Sequence, residues 1–217
     1  LTRVKICGIT KVSHAQAAIE AGADLIGVVF APSPRQVIQE KAGEIVAEVK
    51  KHNRLAVGVF VNIPATEANA VAADCGLDWV QLSGDETWEY CRQIEKPVIK
   101  AIHISSEWDG KKLLAYLEEG QKKLGNRSPI YLLDTFAEQK YGGTGKVFTW
   151  EIARRAVADY PVIIAGGLHP GNAGEVVSDL RPWGVDVSSG VETKGVKDVA
   201  KIKAFIRAVR SADQGYG

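Results

Sequence analysis

Short apolar runs alternate with longer stretches of helical periodicity along the whole chain. The runs Val4–Cys7, Leu25–Phe30, Leu55–Val61, Trp79–Leu82, Val98–Ile102, Ile130–Asp134, Val162–Ala165 and Val185–Ser188 read as buried strands. After them, apolar residues recur at three- and four-residue spacing. That pattern predicts helices over Ser13–Ala21, Glu40–Lys50, Thr66–Cys75, Glu86–Ile94, Gly110–Gly120, Thr149–Ala158, Gly171–Leu180 and Val196–Val209. Eight strand–helix units with no composition break predict one α/β domain over residues 1–217, built on a parallel eight-stranded core. Eight units close a (β/α)8 TIM barrel, whereas an open doubly wound sheet usually has fewer strands. The longest irregular insert expected is Gly120–Pro129, before the sixth strand.

A barrel of this kind carries its chemistry at the C-terminal ends of its strands. Side chains alternate along a strand, and the outer face packs on apolar helices. Val4 and Ile6 should therefore face outward, and Lys5 and Cys7 inward, with Cys7 at the mouth. The same logic brings Asp134 to the top of the sixth strand, Gln81 and Ser83 to one face of the fourth, and Asp186 and Ser188 to one face of the eighth. A thiol and a carboxylate across one mouth form a plausible base and acid pair. Taken singly, Cys7 also suits a small buried hydrophobe and Asp134 a helix cap. Cys75 and Cys91 sit in helical patterns and read as packing residues. Lys5 has the choice of an inward carboxylate or the site itself. Lys100 reads as an ion-pair partner, with a Schiff-base nucleophile as the alternative. The histidines form no sequence cluster, and His103 and His169, near strand tops, have no evident partner.

Composition narrows the class of ligand. The chain has 217 residues, 46% hydrophobic and 24% charged, with a net charge of +1. So balanced a charge gives no electrostatic case for nucleic acid or membrane binding. The N-terminus reads as a strand rather than a secretion signal. Three cysteines, with no CxxC and no Cys/His cluster, argue against a disulfide framework or a metal site and fit a reducing cytoplasm. Glycine-bearing stretches follow the late strands: YGGTG (141–145), IAGGLHPGN (164–172) and SSGVE (188–192). Barrel phosphate sites are built from the loops after strands seven and eight, where backbone N–H groups reach an anion. Gly166, Gly167, Ser188, Ser189 and Gly190 are the candidates. No Walker-type lysine follows the glycines, which argues against a nucleoside triphosphate. In APSPR, two prolines stiffen the turn from which Arg35 emerges, placed to grip a carboxylate or to remain solvated.

Taken in order, KICGIT, SPR, VGVFVN, VQL-x-G, P-x-IKA, LLDT with GGTG, IAGGL-x-P-x-N and GVDVSSGVE with G-x-KD run from Lys5 to about Phe205. Together they resemble the phosphoribosylanthranilate isomerase family of tryptophan biosynthesis. The resemblance implies a cofactor-independent Amadori rearrangement of N-(5-phosphoribosyl)anthranilate to 1-(2-carboxyphenylamino)-1-deoxyribulose 5-phosphate. It assigns Cys7 as general base and Asp134 as general acid. It also gives Arg35 the anthranilate carboxylate and Asp186 the sugar hydroxyls, with Gln81 and Ser83 among the substrate contacts. The base role asks for some stabilisation of the Cys7 thiolate, which Lys5 or Lys100 would supply. One position departs from the family pattern: VQLSG carries Ser83 where the family usually has histidine. The related isomerase of histidine biosynthesis would want phosphate loops in both halves and an aspartate at position 7. The implied partner is a phosphorylated small molecule, taken by a monomer, with a homodimer left open.

Overall fold

A computed structural model describes residues 1–105, 108–135 and 153–215. Strands β1 (Arg3–Ile6), β2 (Leu25–Val29), β3 (Leu55–Phe60), β4 (Trp79–Leu82), β5 (Val98–Ile104), β6 (Ile130–Thr135), β7 (Val162–Ala165) and β8 (Gly184–Val187) follow one another around a closed parallel barrel. The seam is β1 against β8, with Val4 opposite Val185 and Lys5 opposite Asp186. The helices are α1 (Val12–Glu20), α2 (Gln39–Lys51), α3 (Ala65–Asp74), α4 (Trp88–Cys91), α5 (Gly110–Leu124), α6 (153–159), α7 (Ala173–Leu180) and α8 (Val199–Gln214). A two-stranded ribbon, β9 (Glu192–Thr193) with β10 (Val196–Lys197), sits between β8 and α8. None of the helices described is long and apolar enough to cross a membrane.

Strand alternation divides the core in two. Val4, Ile6, Val28, Val80, Ile102, Leu133, Ile164 and Val185 join the helices in the outer layer. Leu25, Val57, Ile99, Ala101, Ile130, Leu132, Ile163 and Ala165 fill the barrel, with Trp79 and Trp183 against them. Inward-facing residues of this size make the interior a packed core, so ligands are confined to the mouth. The two chain ends are tied together below. Arg210 donates to the carbonyls of Thr2 and Gly22 and to Asp24, while Thr2 donates its N–H and hydroxyl to Asp213.

Several boundaries differ from the sequence expectation, each for a local reason. The expected irregular insert is largely helix: α5 runs through Gly120 to Leu124 and ends in a 3-10 turn, Gly125–Arg127. Gly120 is kept there because a Cβ would lie 2.8 Å from the Trp88 ring. The fourth helix is a single turn, because Glu86 turns back to serve as an acceptor. Its carboxylate takes the N–H groups of Asn62 and Gly84 at 2.8 and 2.9 Å. Helix α8 begins at Val199 and not at Val196, since β10 takes the first residues and Asp198 caps the helix by accepting from Ala200 and Lys201 N–H. Strand β5 runs two residues longer than expected, which carries His103 into the sheet. The start of the sixth predicted helix lies outside the described residues.

Lys100 lies on the outer face of β5 and forms the ion pair expected of it. Its ammonium donates to Glu86 at 3.0 Å and to the Gly84 carbonyl at 2.7 Å, with both side chains almost wholly buried. An outward lysine tied to a buried carboxylate is not available as a nucleophile at the mouth. Removing one partner of a buried pair leaves the other charge uncompensated. Lys100→Met is expected to cost about 3–5 kcal/mol in urea unfolding. Adding Glu86→Gln to it should recover part of that loss.

Candidate active site

Cys7 follows directly after β1, still fixed to the seam because its N–H donates to the Val187 carbonyl at 2.9 Å. The chain then turns at Gly8, whose φ of +72° favours glycine and where a Cβ would lie 2.4 Å from Arg35 Cδ. Gly27 leaves room for the thiol, since a Cβ there would stand 2.9 Å from Cys7 Sγ. Below it, fully buried Lys5 donates to Asp186 at 3.0 Å. Burial works to lower the Lys5 pKa, but Asp186 and Cys7 outweigh it and hold the ammonium above its usual value. Burial also pushes Asp186 up, against the pull of Lys5, and the neighbouring Asp134 charge adds to the rise.

Lys5 also acts on the Cys7 thiol, by charge and by a side-chain hydrogen bond, in the direction expected of it. Burial is the larger effect and leaves the thiol above its ordinary range, with Asp186 adding to the rise. The expectation of a stabilised thiolate is therefore corrected. Lys5 limits the cost of the charge without cancelling it, and Lys197 takes the second supporting part that had been offered to Lys100.

Arg35 is neither solvated nor free. Its Nε and Nη2 each donate to a Glu192 carboxylate oxygen at 2.7 Å. Lys197, itself buried, donates to Glu192 at 2.6 Å and to the Ser188 carbonyl at 2.9 Å, with its ammonium 3.3 Å from the Ser188 hydroxyl. Burial alone would raise Glu192, but these two cations hold it at about 2. Burial draws Lys197 below its usual value in spite of Glu192. Glu192 and Lys197 stand within the SSGVE and G-x-KD strings but were given no role, because the significance of Glu192 comes from Arg35, 157 positions away, and that of Lys197 from Glu192.

On the opposite wall, Gln81 is buried and donates to the Ser83 hydroxyl at 3.0 Å, leaving its own carbonyl oxygen with no donor among the described residues. Asp134 takes the last inward position of β6, in register with His103. His103 was expected to lack a partner and has two. Nδ1 lies 3.5 Å from Asp134 Oδ2, and Nε2 lies 3.0 Å from the Ser83 carbonyl. His169 likewise has one, since its Nδ1 accepts from Gly171 N–H at 3.1 Å.

The loops after β7 and β8 are pressed together. Gly166 and Gly167 have φ of +86° and +65°, and a Cβ on Gly190 would fall 1.8 Å from the Leu168 carbonyl oxygen. Ser188, Ser189 and Gly190 open the 3-10 turn that leads to Glu192. The YGGTG stretch lies outside the described residues. Among the described residues no His, Cys, Asp and Glu group is arranged to hold a metal.

A family profile for N-(5'-phosphoribosyl)anthranilate isomerase matches residues 4–208. The chain belongs to this family. It is 46% identical over 215 residues to the N-(5'-phosphoribosyl)anthranilate isomerase of Dehalococcoides mccartyi, covering 98% of each chain. It is 42% identical to that of Desulforudis audaxviator, covering 98% of this chain and all of the relative. The crystal structure of the Thermotoga maritima phosphoribosyl anthranilate isomerase superposes with a TM-score of 0.82 at 38% identity, over 97% of this chain and 100% of the other. A phosphoribosyl anthranilate isomerase solved in complex with reduced 1-(o-carboxyphenylamino)-1-deoxyribulose 5-phosphate gives 0.81 at 35% identity, with the same coverage. As a phosphoribosylanthranilate isomerase, the chain catalyses the aldose–ketose isomerisation of tryptophan biosynthesis.

Because Glu192 ionises more readily in the folded isomerase than the ordinary 4.5, it contributes stability above that pH, and the contribution is lost as pH falls from about 4.5 to about 2. Glu192→Gln should unfold about 2–3 kcal/mol more easily than the parent at pH 7. Urea titrations repeated at lower pH should show that gap closing.

Proposed function

We propose that the isomerase runs its rearrangement with Cys7 as general base and Asp134 as general acid. What carries this reading is that a thiol after β1 and a carboxylate ending β6 open onto one mouth. Asp186 is close enough to feel Asp134 and to act on Cys7. Asp134 delivers a proton to the furanose ring oxygen. The C1–O bond breaks as the anilino nitrogen lone pair forms C=N, giving the Schiff base. Cys7, as thiolate, takes the proton from C2, and the electron pair moves into an enolamine. C1 is then reprotonated and the C2 hydroxyl proton is released, leaving the ketone with no net proton consumed. Each proton transfer from a positioned side chain is worth about 100- to 10,000-fold in rate.

The surrounding groups divide the substrate among them. The loops carrying Gly166, Gly167, Ser188, Ser189 and Gly190 take the phosphate at the end of the mouth usual for this fold. Arg35, held in a fixed plane by Glu192, meets the anthranilate carboxylate from its remaining donors. Asp186 accepts from a sugar hydroxyl while Lys5 keeps it oriented. The spare Gln81 carbonyl and the Ser83 hydroxyl supply neutral contacts. With serine at position 83, that position itself brings no titratable group to the substrate.

Turnover is read by fluorescence with freshly prepared phosphoribosylanthranilate. Cys7→Ala and Asp134→Asn are each expected to lower kcat/KM by about 100- to 10,000-fold, with the fold retained. A variant with undiminished turnover would remove that residue from the acid–base pair.

A further inference from the structure

His103 occupies the top inward position of β5, after Ile99 and Ala101, and its side chain is about half exposed at the mouth. Its two ring nitrogens have different neighbours, and these fix its chemistry. Nε2 faces the Ser83 carbonyl oxygen at 3.0 Å. A carbonyl only accepts, so Nε2 must carry a hydrogen in every charge state. Nδ1 faces Asp134 Oδ2 at 3.5 Å. A bare Nδ1 beside a bare carboxylate would set two lone pairs against each other. The contact is satisfied when one proton lies between them, either on nitrogen with Asp134 ionised or on oxygen with His103 neutral.

The charges around the pair favour keeping that proton. Asp134 on β6 raises the imidazole pKa, against partial burial and the opposing Lys100 charge from its own strand. Lys100 is neutralised by Glu86, which with Asp85 lines the cleft beside the ring. The Ser83 carbonyl adds to the rise.

We propose that His103 is a positioning residue for the isomerisation, holding one shared proton against Asp134 in a tautomer set by the Ser83 carbonyl. The inference rests on Asp134 serving as the acid. When Asp134 gives its proton to the ring oxygen, neutral His103 is left with a bare Nδ1 facing the carboxylate. That arrangement draws a proton back as the C2 hydroxyl ionises to the ketone. The two side chains therefore hold and return that proton together.

His103→Asn keeps a donor against the carboxylate but has no ionisable group. It is expected to lower kcat/KM about tenfold and to move one limb of the pH–rate profile about one unit toward lower pH, leaving the Cys7 limb in place. Uniform scaling with both limbs unmoved, or an unchanged rate, would overturn the proposal. As an independent reading, the imidazole of His103 can be titrated by NMR in the parent and in Asp134→Asn. Its pKa should fall in the variant, and an unmoved pKa would also overturn the proposal. Failure of the acid assignment itself would look different, as an active Asp134→Asn.

Discussion

The Lys5–Asp186 pair is the constraint around which this barrel closes. The two residues lie opposite each other across the seam where the first strand meets the last. They occupy the barrel interior below the mouth, in a layer that apolar side chains fill elsewhere. Burying either charge alone would be costly, so a register that paired Lys5 with anything else would carry an uncompensated ion. The pair thus favours one closure of the sheet, and it places a fixed positive charge beneath the only cysteine at the mouth. Cys75 and Cys91 lie at the C-terminal ends of helices α3 and α4, in the layer outside the barrel. Burial pushes Cys91 up to about 11, with no inward position to act from.

The mouth is built from charges that are already partnered in the protein. Arg35 and Lys197 share Glu192, Lys5 holds Asp186, and His103 stands against Asp134. Side chains locked in this way lose little freedom when a ligand arrives, which is how a site gains precision without rigid loops. The arrangement also sets the cost of the chemistry. A buried thiol that must ionise needs a compensating cation close by, and Lys5 is the one the fold provides.

Much of this was legible in the chain. Period-two alternation placed Lys5, Cys7, Gln81, Asp134 and Asp186 inward, because sheet geometry leaves a strand only two faces. The glycines after β7 and β8 were read for the approach of a phosphate; the contact of loop on loop at Gly190 and Leu168, which also requires glycine, was not foreseen. What could not be read is what depends on contact between distant segments. Glu192 and Lys197 stand inside the quoted GVDVSSGVE and G-x-KD strings, yet their part shows only when Glu192 meets Arg35 and Lys197 together. His103 appeared to lack a partner until β5 was found to extend and bring it level with Asp134. The short α4 and the long α5 were misjudged for a related reason. Glu86 is recruited by loops before it, and Gly120 makes room for Trp88, neither of which periodicity records.

The chemistry of the mouth turns on Lys5 acting on Cys7 from below. The most direct test is the pH dependence of Cys7 alkylation by iodoacetamide, followed by mass spectrometry of its peptide, in the parent and in Lys5→Met. Cys7 should titrate above the ordinary thiol range in the parent and higher still once the ammonium is gone. An unmoved or lower titration in Lys5→Met would contradict that action of Lys5.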